Sequence, residues 1–145
     1  MVCCIKSEDN LCKYLVQKRL KQPYYGFYGF LGGKIKWGET IYETAERELK
    51  EETGLRGKIK LVGIKHKIDY SVEGNLLEDK FFFIFVATKL QGRLIHKLKE
   101  GENYWLTEEE IRKLPTIFNG VDITLKIIKG KSLSFVEKKY KVKKY

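Results

Sequence analysis

Two β-prone runs, residues 2–5 and 11–19, open the chain, and the polar stretch Ser7-Glu8-Asp9-Asn10 between them carries turn chemistry. A β-hairpin is predicted there. An aromatic and glycine-rich stretch follows over residues 24–33, then a helix over 40–53, then strand-like segments at 58–70, 80–90 and 92–98. After Trp105, Thr107 followed by Glu110 makes a Thr-x-x-Glu capping box, which starts a short helix. A last helix over 121–128 stops at Gly130, a residue suited to a C-terminal cap, and 132–142 reads as an edge strand. Strands mixed with a few helices predict an α/β domain whose mixed β-sheet lies between α-helices. With 145 residues and no internal repeat or linker, the chain fits one domain, 1–145.

The helix over 40–53 is the most informative element. Thr40 and Glu43 form a capping box, and Gly54 tolerates the left-handed conformation past the last turn. Placed at about 100° per residue with Ile41 at zero, Ala45 and Leu49 fall at roughly 40° and 80° and define the buried stripe. Glu43, Glu46, Lys50 and Thr53 fall on the solvent side, where Glu46 and Lys50 can pair. Glu48 and Glu52 fall within about 20° of the stripe's edge and Glu51 on its flank, so three carboxylates face the protein. Ionised carboxylates buried together need a cation, because desolvation and mutual repulsion both oppose them. Arg47 can orient one of them but leaves net negative charge. A hard divalent ion such as Mg²⁺ fits oxygen ligands of this kind, usually shared with substrate phosphates.

Charge and composition add less. The net charge is +10, and between Lys126 and Tyr145 eight lysines face one acid, Glu137. Such a tail either solvates the surface or holds nucleic acid and steers anions. The longest apolar run, 81–87, is far short of the ~20 residues of a membrane span. The N-terminal residues carry neither a basic leader nor a small-residue cleavage site, so a cytoplasmic protein with no membrane association is predicted. Cys3, Cys4 and Cys12 are an odd set near one end, with adjacent Cys3 and Cys4 on alternate strand faces. They read as buried reduced thiols rather than a disulfide or zinc framework.

Gly33, Glu39, Arg47, Glu48, Leu49, Glu51, Glu52, Gly54 and Leu55 stand at the spacing Gly, five residues, Glu, seven residues, Arg-Glu-apolar-x-Glu-Glu-x-Gly-apolar. In every defined position this resembles the box of the Nudix hydrolase family, MutT-type enzymes included. The resemblance implies the Nudix fold and a metal-assisted attack of water on a diphosphate linkage in a nucleotide-like substrate. It also implies that Glu48, Glu51 and Glu52 hold Mg²⁺, or Mn²⁺ in its place, and that the Gly32 carbonyl can add a ligand. Arg47 would orient a glutamate, and Glu39 would tie backbone amides at the loop-helix junction. The general base is either Glu48 or an acid in a later loop, for which Glu100 and Glu102 are the candidates. Lys34 is a candidate phosphate contact. One departure stands out: Leu31 replaces the proline that many members carry before the glycine pair, so the loop lacks one rigid φ.

Substrate markers outside the box are weaker. The only prolines are Pro23 and Pro115, so the proline that marks ADP-ribose pyrophosphatases downstream of the box is absent. Tyr70 stands near the place where diadenosine polyphosphate hydrolases carry a tyrosine, and Asn119 lies where hydrolases of oxidised nucleoside triphosphates read the base. Both also suit ordinary packing and turn roles. A nucleoside triphosphate or another nucleoside diphosphate derivative is the expected substrate. Dinucleoside polyphosphates, the 5′ end of RNA held through the basic C-terminus, and non-catalytic nucleotide or RNA binding are the alternatives. A homodimer is common in the family.

Overall fold

The computed structural model describes residues 1–143, so Lys144 and Tyr145 of the basic tail lie outside the described residues. β1 (Val2–Glu8) and β2 (Leu11–Arg19) form the predicted antiparallel hairpin. Asp9 and Asn10 both take positive φ, 52° and 61°, as a tight two-residue hairpin turn requires and these side chains tolerate. Then follow β3 (Tyr28–Gly29), α1 (Ile41–Thr53), β4 (Arg56–Tyr70), β5 (Leu76–Gln91), β6 (Gly101–Leu106), α2 (Glu108–Arg112), α3 (Val121–Lys129) and β7 (Ser134–Lys141).

The strands make one mixed sheet in the order β3-β2-β1-β5-β4-β7, and β6 pairs with β2 along the edge that β3 and β1 leave open. β1 runs parallel to β5, and β7 parallel to β4. Ala45, Leu49 and Leu55 pack with Val2, Cys4, Leu15 and Phe85 on one face. On the other, Val121, Leu125 and Ile128 pack with Cys3, Val16 and Ile84. Adjacent Cys3 and Cys4 thus enter two different cores, as strand alternation dictates. Burial pushes the Cys3 thiol up to about 12 and the Cys4 thiol up as well, which keeps both protonated and inert. This is the expected α/β arrangement of a sheet between helices.

Several local expectations are corrected. Residues 92–98 form no strand: only Lys97 bridges to Glu102, and the amide of Ile95 donates to the Thr53 carbonyl at 2.8 Å. The segment covers the end of α1, and the strand forms instead at β6. Cys12 is exposed, unlike Cys3 and Cys4. Gly130 ends α3 in an extended conformation, φ −68°, rather than a left-handed one. Thr53 is fully buried, because its hydroxyl donates to the Leu49 carbonyl at 2.5 Å and accepts from the Leu55 amide at 3.0 Å. Lys50 does not turn to Glu46 but donates to the Gly54 carbonyl at 2.8 Å, at the negative pole of the helix.

β4 carries the least expected feature. Its inward face buries Lys65, Lys67 and Asp69. Lys67 pairs with Asp69, which also accepts from the Tyr24 hydroxyl at 3.0 Å. Lys65 donates to the Thr124 hydroxyl at 2.8 Å and the Gly120 carbonyl at 3.3 Å, and burial pushes its ammonium down to about 8. Edge strand β7 exposes Lys138, Lys139 and Lys141, charges that discourage strand addition at an open edge.

Leu125 is 1% exposed at the centre of the α3 core. Leu125→Ala is expected to cost about 3 kcal/mol in urea unfolding with an unchanged denaturant slope. A loss under about 1 kcal/mol would contradict the docking of α3.

Candidate active site

The site is built on α1, whose ends are fixed as its sequence requires. At the start, the Glu43 amide donates to the Thr40 hydroxyl at 3.2 Å and the Thr40 amide donates to the Glu43 carboxylate at 2.7 Å. At the end, Gly54 takes φ 75° and donates to the Lys50 carbonyl at 2.9 Å. A Cβ at Gly54 would stand 2.6 Å from the Arg93 carbonyl, so conformation and space both demand glycine. With Ala45 and Leu49 in the core, rotation is settled: Glu43 and Glu46 face solvent, Glu48 is 9% exposed, and Glu52 is largely covered. Glu51, on the flank, has a side chain that is 56% exposed.

Arg47 organises the acids around it. Its Nε and Nη2 donate to the two oxygens of Glu39 at 2.6 and 2.8 Å. Nη1 donates to Glu48 at 2.5 Å and to Glu51 at 3.2 Å, and Nη2 also reaches the Lys34 carbonyl at 3.1 Å. Glu39 in turn accepts from the Lys36 amide at 3.1 Å and the Thr44 hydroxyl at 2.9 Å. The guanidinium beside it, with these further donors, holds the Glu39 carboxyl down at about 2. One side chain therefore fastens the loop preceding α1 to the helix.

The glycine loop meets α1 at Gly33. A Cβ there would land on the Glu48 carboxylate, so glycine leaves the space in which that carboxylate lies. Gly32 packs against the backbone of Met1, and Leu31, in the place of the rigid proline, is held by the Val2 amide at 2.9 Å and is 1% exposed. Packing and a bridge to β1 thus fix what a proline ring would have fixed.

Glu52 is the anomaly of the site. Its Oε2 is buried without a hydrogen-bond partner. Burial, with the Glu48 carboxylate nearby, pushes its carboxyl up to about 7 against the opposing pull of Lys21 and Arg19. Among the described residues, no three carboxylate, imidazole or thiolate groups converge on one point, since Arg47 draws Glu48 and Glu51 to itself. The donor set still fits a hard cation: an orphaned carboxylate oxygen in Glu52, a second buried carboxylate in Glu48, and a third at the rim in Glu51.

The remaining candidates are distributed unevenly. Glu100 precedes β6 and is ion-paired with Lys21, one of the cations acting on Glu52. Glu102 lies within β6 rather than in a loop, held by the Tyr104 hydroxyl at 2.8 Å and by Lys97 at 3.3 Å. Asn119 sits in the turn before α3, beside the bridge between Ile117 and Tyr28, so its loop abuts the strand that leads into the glycine pair. The Lys34 side chain is exposed. Tyr70 lies at the C-terminal end of β4, next to Asp69, which accepts from the Tyr24 hydroxyl. Arg19 and Lys21 were not singled out by sequence; their only signal is a basic pair where β2 ends.

Inward carboxylates on a capped helix, a glycine loop shaped around one of them, and a mixed sheet between helices together define a carboxylate site in an α/β domain. The chain belongs to the NUDIX domain family, whose model matches residues 1–125. It is 35% identical over 89 residues to the ADP-ribose pyrophosphatase of Methanocaldococcus jannaschii, a stretch covering 61% of this chain and 52% of that protein. The chain therefore spans about half the length of that relative. An uncharacterised Nudix hydrolase of Bacillus subtilis, YvcI, is 26% identical over 133 residues, 90% of this chain and 79% of its own length. The crystal structure of a MutT protein from Bacillus halodurans superposes with a TM-score of 0.77 at 28% identity, covering 97% of this chain and 88% of that one. No helix among the described residues is long and apolar enough to cross a membrane.

Glu52 also sets a pH dependence. A carboxyl raised from 4.5 to about 7 in the fold contributes stability that is fully present below pH 4.5 and is lost as pH rises through 7. Without divalent ions, Glu52→Gln is expected to gain on the order of 2 kcal/mol relative to wild type between pH 5 and pH 8. Thermal unfolding across that range measures it. A wild-type-minus-variant difference that is flat with pH would contradict a buried, uncompensated Glu52.

Proposed function

We propose that the chain acts as one Nudix domain, a Mg²⁺-dependent pyrophosphohydrolase of nucleoside triphosphates, oxidised forms included, or of other nucleoside diphosphate derivatives. The observation that carries this reading is the buried, partnerless Glu52 carboxylate beside Glu48, beneath a glycine loop and on a complete box helix. Glu48, Glu51 and Glu52 would hold the ion, with the Gly32 carbonyl as a further ligand. When bound, the ion lowers the pKa of a coordinated water and offsets the charge that builds on phosphate oxygens.

The chain's own residues supply the rest. Arg47 holds Glu48 and Glu51 at fixed angles by a planar fork, which an ammonium could not do. Arg19, Lys21 and Lys34 offer positive charge to an anionic substrate. Glu48, Glu100 and Glu102 are the candidates to accept the water's proton, engaged here by Arg47, by Lys21, and by Tyr104 and Lys97 respectively. Attack of water oxygen on phosphorus breaks one P–O bond of the anhydride and yields two phosphorylated products, one taking the new oxygen. Asn119 would face the base from its loop beside β3, with Tyr70 a second candidate at the end of β4.

ADP-ribose enters as a substrate class through the name of the M. jannaschii relative, although the proline marker of such enzymes is absent. One observation favours a second reading: the lysines along β7 offer phosphate contacts to RNA, with its 5′-triphosphate as the reacting group.

Wild type and Glu52→Gln should be assayed with Mg²⁺, and with Mn²⁺ in its place. The substrates are canonical and oxidised nucleoside triphosphates, ADP-ribose, dinucleoside polyphosphates and 5′-triphosphorylated RNA. Turnover of at least one is expected, with Glu52→Gln losing more than about 100-fold in kcat/KM, the upper end of what an outer-shell partner costs. No turnover of any of them, together with tight metal-independent RNA binding, would replace the hydrolase reading with a binding module. Products formed in heavy-oxygen water identify the phosphorus attacked.

A further inference from the structure

The last four carbonyls of an α-helix have no partner within the helix, and in α1 these carbonyls belong to the turn that carries Glu51 and Glu52. The Thr53 carbonyl is taken by the Ile95 amide at 2.8 Å. The Glu52 carbonyl is taken by a side chain from across the sheet: Asn103 Nδ2 donates to it at 2.7 Å. The same Nδ2 donates its other hydrogen to the Ile95 carbonyl at 2.8 Å, and Asn103 Oδ1 accepts from Gln17 Nε2 at 3.3 Å. The Asn103 amide nitrogen of the main chain donates to the His96 carbonyl at 2.8 Å. Every hydrogen-bonding position of this side chain is directed at a named partner except one lone pair, and the residue is 2% exposed.

Asn103 follows the two acids that the sequence offered as candidates, Glu100 and Glu102, and strand alternation turns it to the opposite face from Glu102. Gly101 and Asn103 turn inward while Glu102 and Tyr104 turn outward. Gly101 has a part in this: a Cβ there would stand 2.5 Å from Gln17 Cδ, so glycine lets the Gln17 side chain reach Asn103. β2, β6, the 92–98 segment and the end of α1 therefore meet at one buried amide.

We propose that Asn103, oriented by Gln17, is a positioning residue for Glu52: it fixes the backbone of the residue whose carboxylate is buried without a partner, and so sets where that carboxylate stands when a divalent cation is bound. The inference rests on the metal site of the proposed function. An apolar residue of similar size would fill the space yet leave the Glu52 and Ile95 carbonyls without their donor. The final turn of α1 could then shift on its axis, and the distance between the Glu48 and Glu52 carboxylates would no longer be fixed. Sequence reading passed over Asn103 because a single asparagine before Trp105 has no spacing signature.

The test measures Mn²⁺ affinity of the folded, full chain by electron paramagnetic resonance, with no substrate present. Asn103→Leu is expected to weaken Mn²⁺ binding by at least about 10-fold. Gln17→Leu, which leaves the Asn103 donors but frees the amide to rotate, is expected to weaken it less and in the same direction. It carries the test alone if Asn103→Leu does not fold. Leu125→Ala, destabilised in a core remote from α1, is the control and should bind as wild type does. Unchanged Mn²⁺ affinity in both amide variants, or a loss in all three that tracks lowered Tm, overturns the proposal. Should wild type itself bind no Mn²⁺, the metal reading falls, and amide hydrogen exchange over residues 50–55 of the metal-free protein decides this one. Selective acceleration there in Asn103→Leu supports it, and exchange no faster than the rest of the chain overturns it.

Discussion

Arg47 stands among three carboxylates, and the shape of the loop before α1 depends on how its five donors are distributed. Two go to Glu39, one to the Lys34 carbonyl, and the remainder to Glu48 and Glu51. A guanidinium is planar and rigid, so these directions are fixed relative to one another. The loop carrying Lys34 and Glu39 and the helix carrying Glu48 and Glu51 consequently hold one relative position. The charge does not balance, since two cations, Arg47 and Lys36 at 4.0 Å from Glu51, face Glu39, Glu48 and Glu51, and Glu52 adds a fourth acid behind them. Burial of carboxylates without compensation is unfavourable, and the proposed function accounts for this excess of negative charge where packing alone does not.

Holding such a face against the sheet requires that α1 neither slide nor turn. Its N-terminus is closed by the Thr40 box and its C-terminus by Gly54 pressed under Arg93. Between them Ala45 and Leu49 enter the core with Leu15 and Phe85. Asn103 and Ile95 then occupy the carbonyls of the last turn. Local capping fixes the length of the helix, and contacts distant in sequence fix its position. Leu31 illustrates the same division: the conformational restriction a proline would supply is replaced by burial and a hydrogen bond to Val2.

The second face of the sheet obeys a different logic. Lys65 lies under the start of α3, and Lys67 and Asp69 lie beside Tyr24, on a buried face where apolar side chains would be ordinary. Lys67 and Asp69 neutralise each other, while Lys65 relies on a hydroxyl and a carbonyl at the start of α3. That arrangement ties the loop carrying Asn119 to the centre of β4. β7 lies beyond the residues matched by the family model, and it adds Tyr140 and a lysine-bearing edge to the sheet beside β4.

The extent to which all this was legible in the sequence follows from the range of the interactions. Box spacing, the two capping boxes, Gly54 and the 3.6-residue period of Ile41, Ala45 and Leu49 are local, so the helix, its limits and the inward turn of Glu48 and Glu52 could be read directly. The hairpin at Asp9-Asn10 and the opposite faces of Cys3 and Cys4 were legible for the same reason. Residues 92–98 were misread because their apolar side chains and amides serve α1 rather than a neighbouring strand. Lys65, Lys67 and Asp69 look like a solvated strand face until Tyr24, Thr124 and Glu78 arrive from elsewhere in the chain. Asn103 likewise acquires its partners only in the folded molecule. By itself the sequence determined a capped acidic helix, its carboxylates and the family they belong to, because each rests on residues within a turn or two of one another. Only the tertiary structure decided which carboxylate is left without a partner, and which amide holds the backbone that carries it, because those contacts join strands and loops that sequence distance keeps apart.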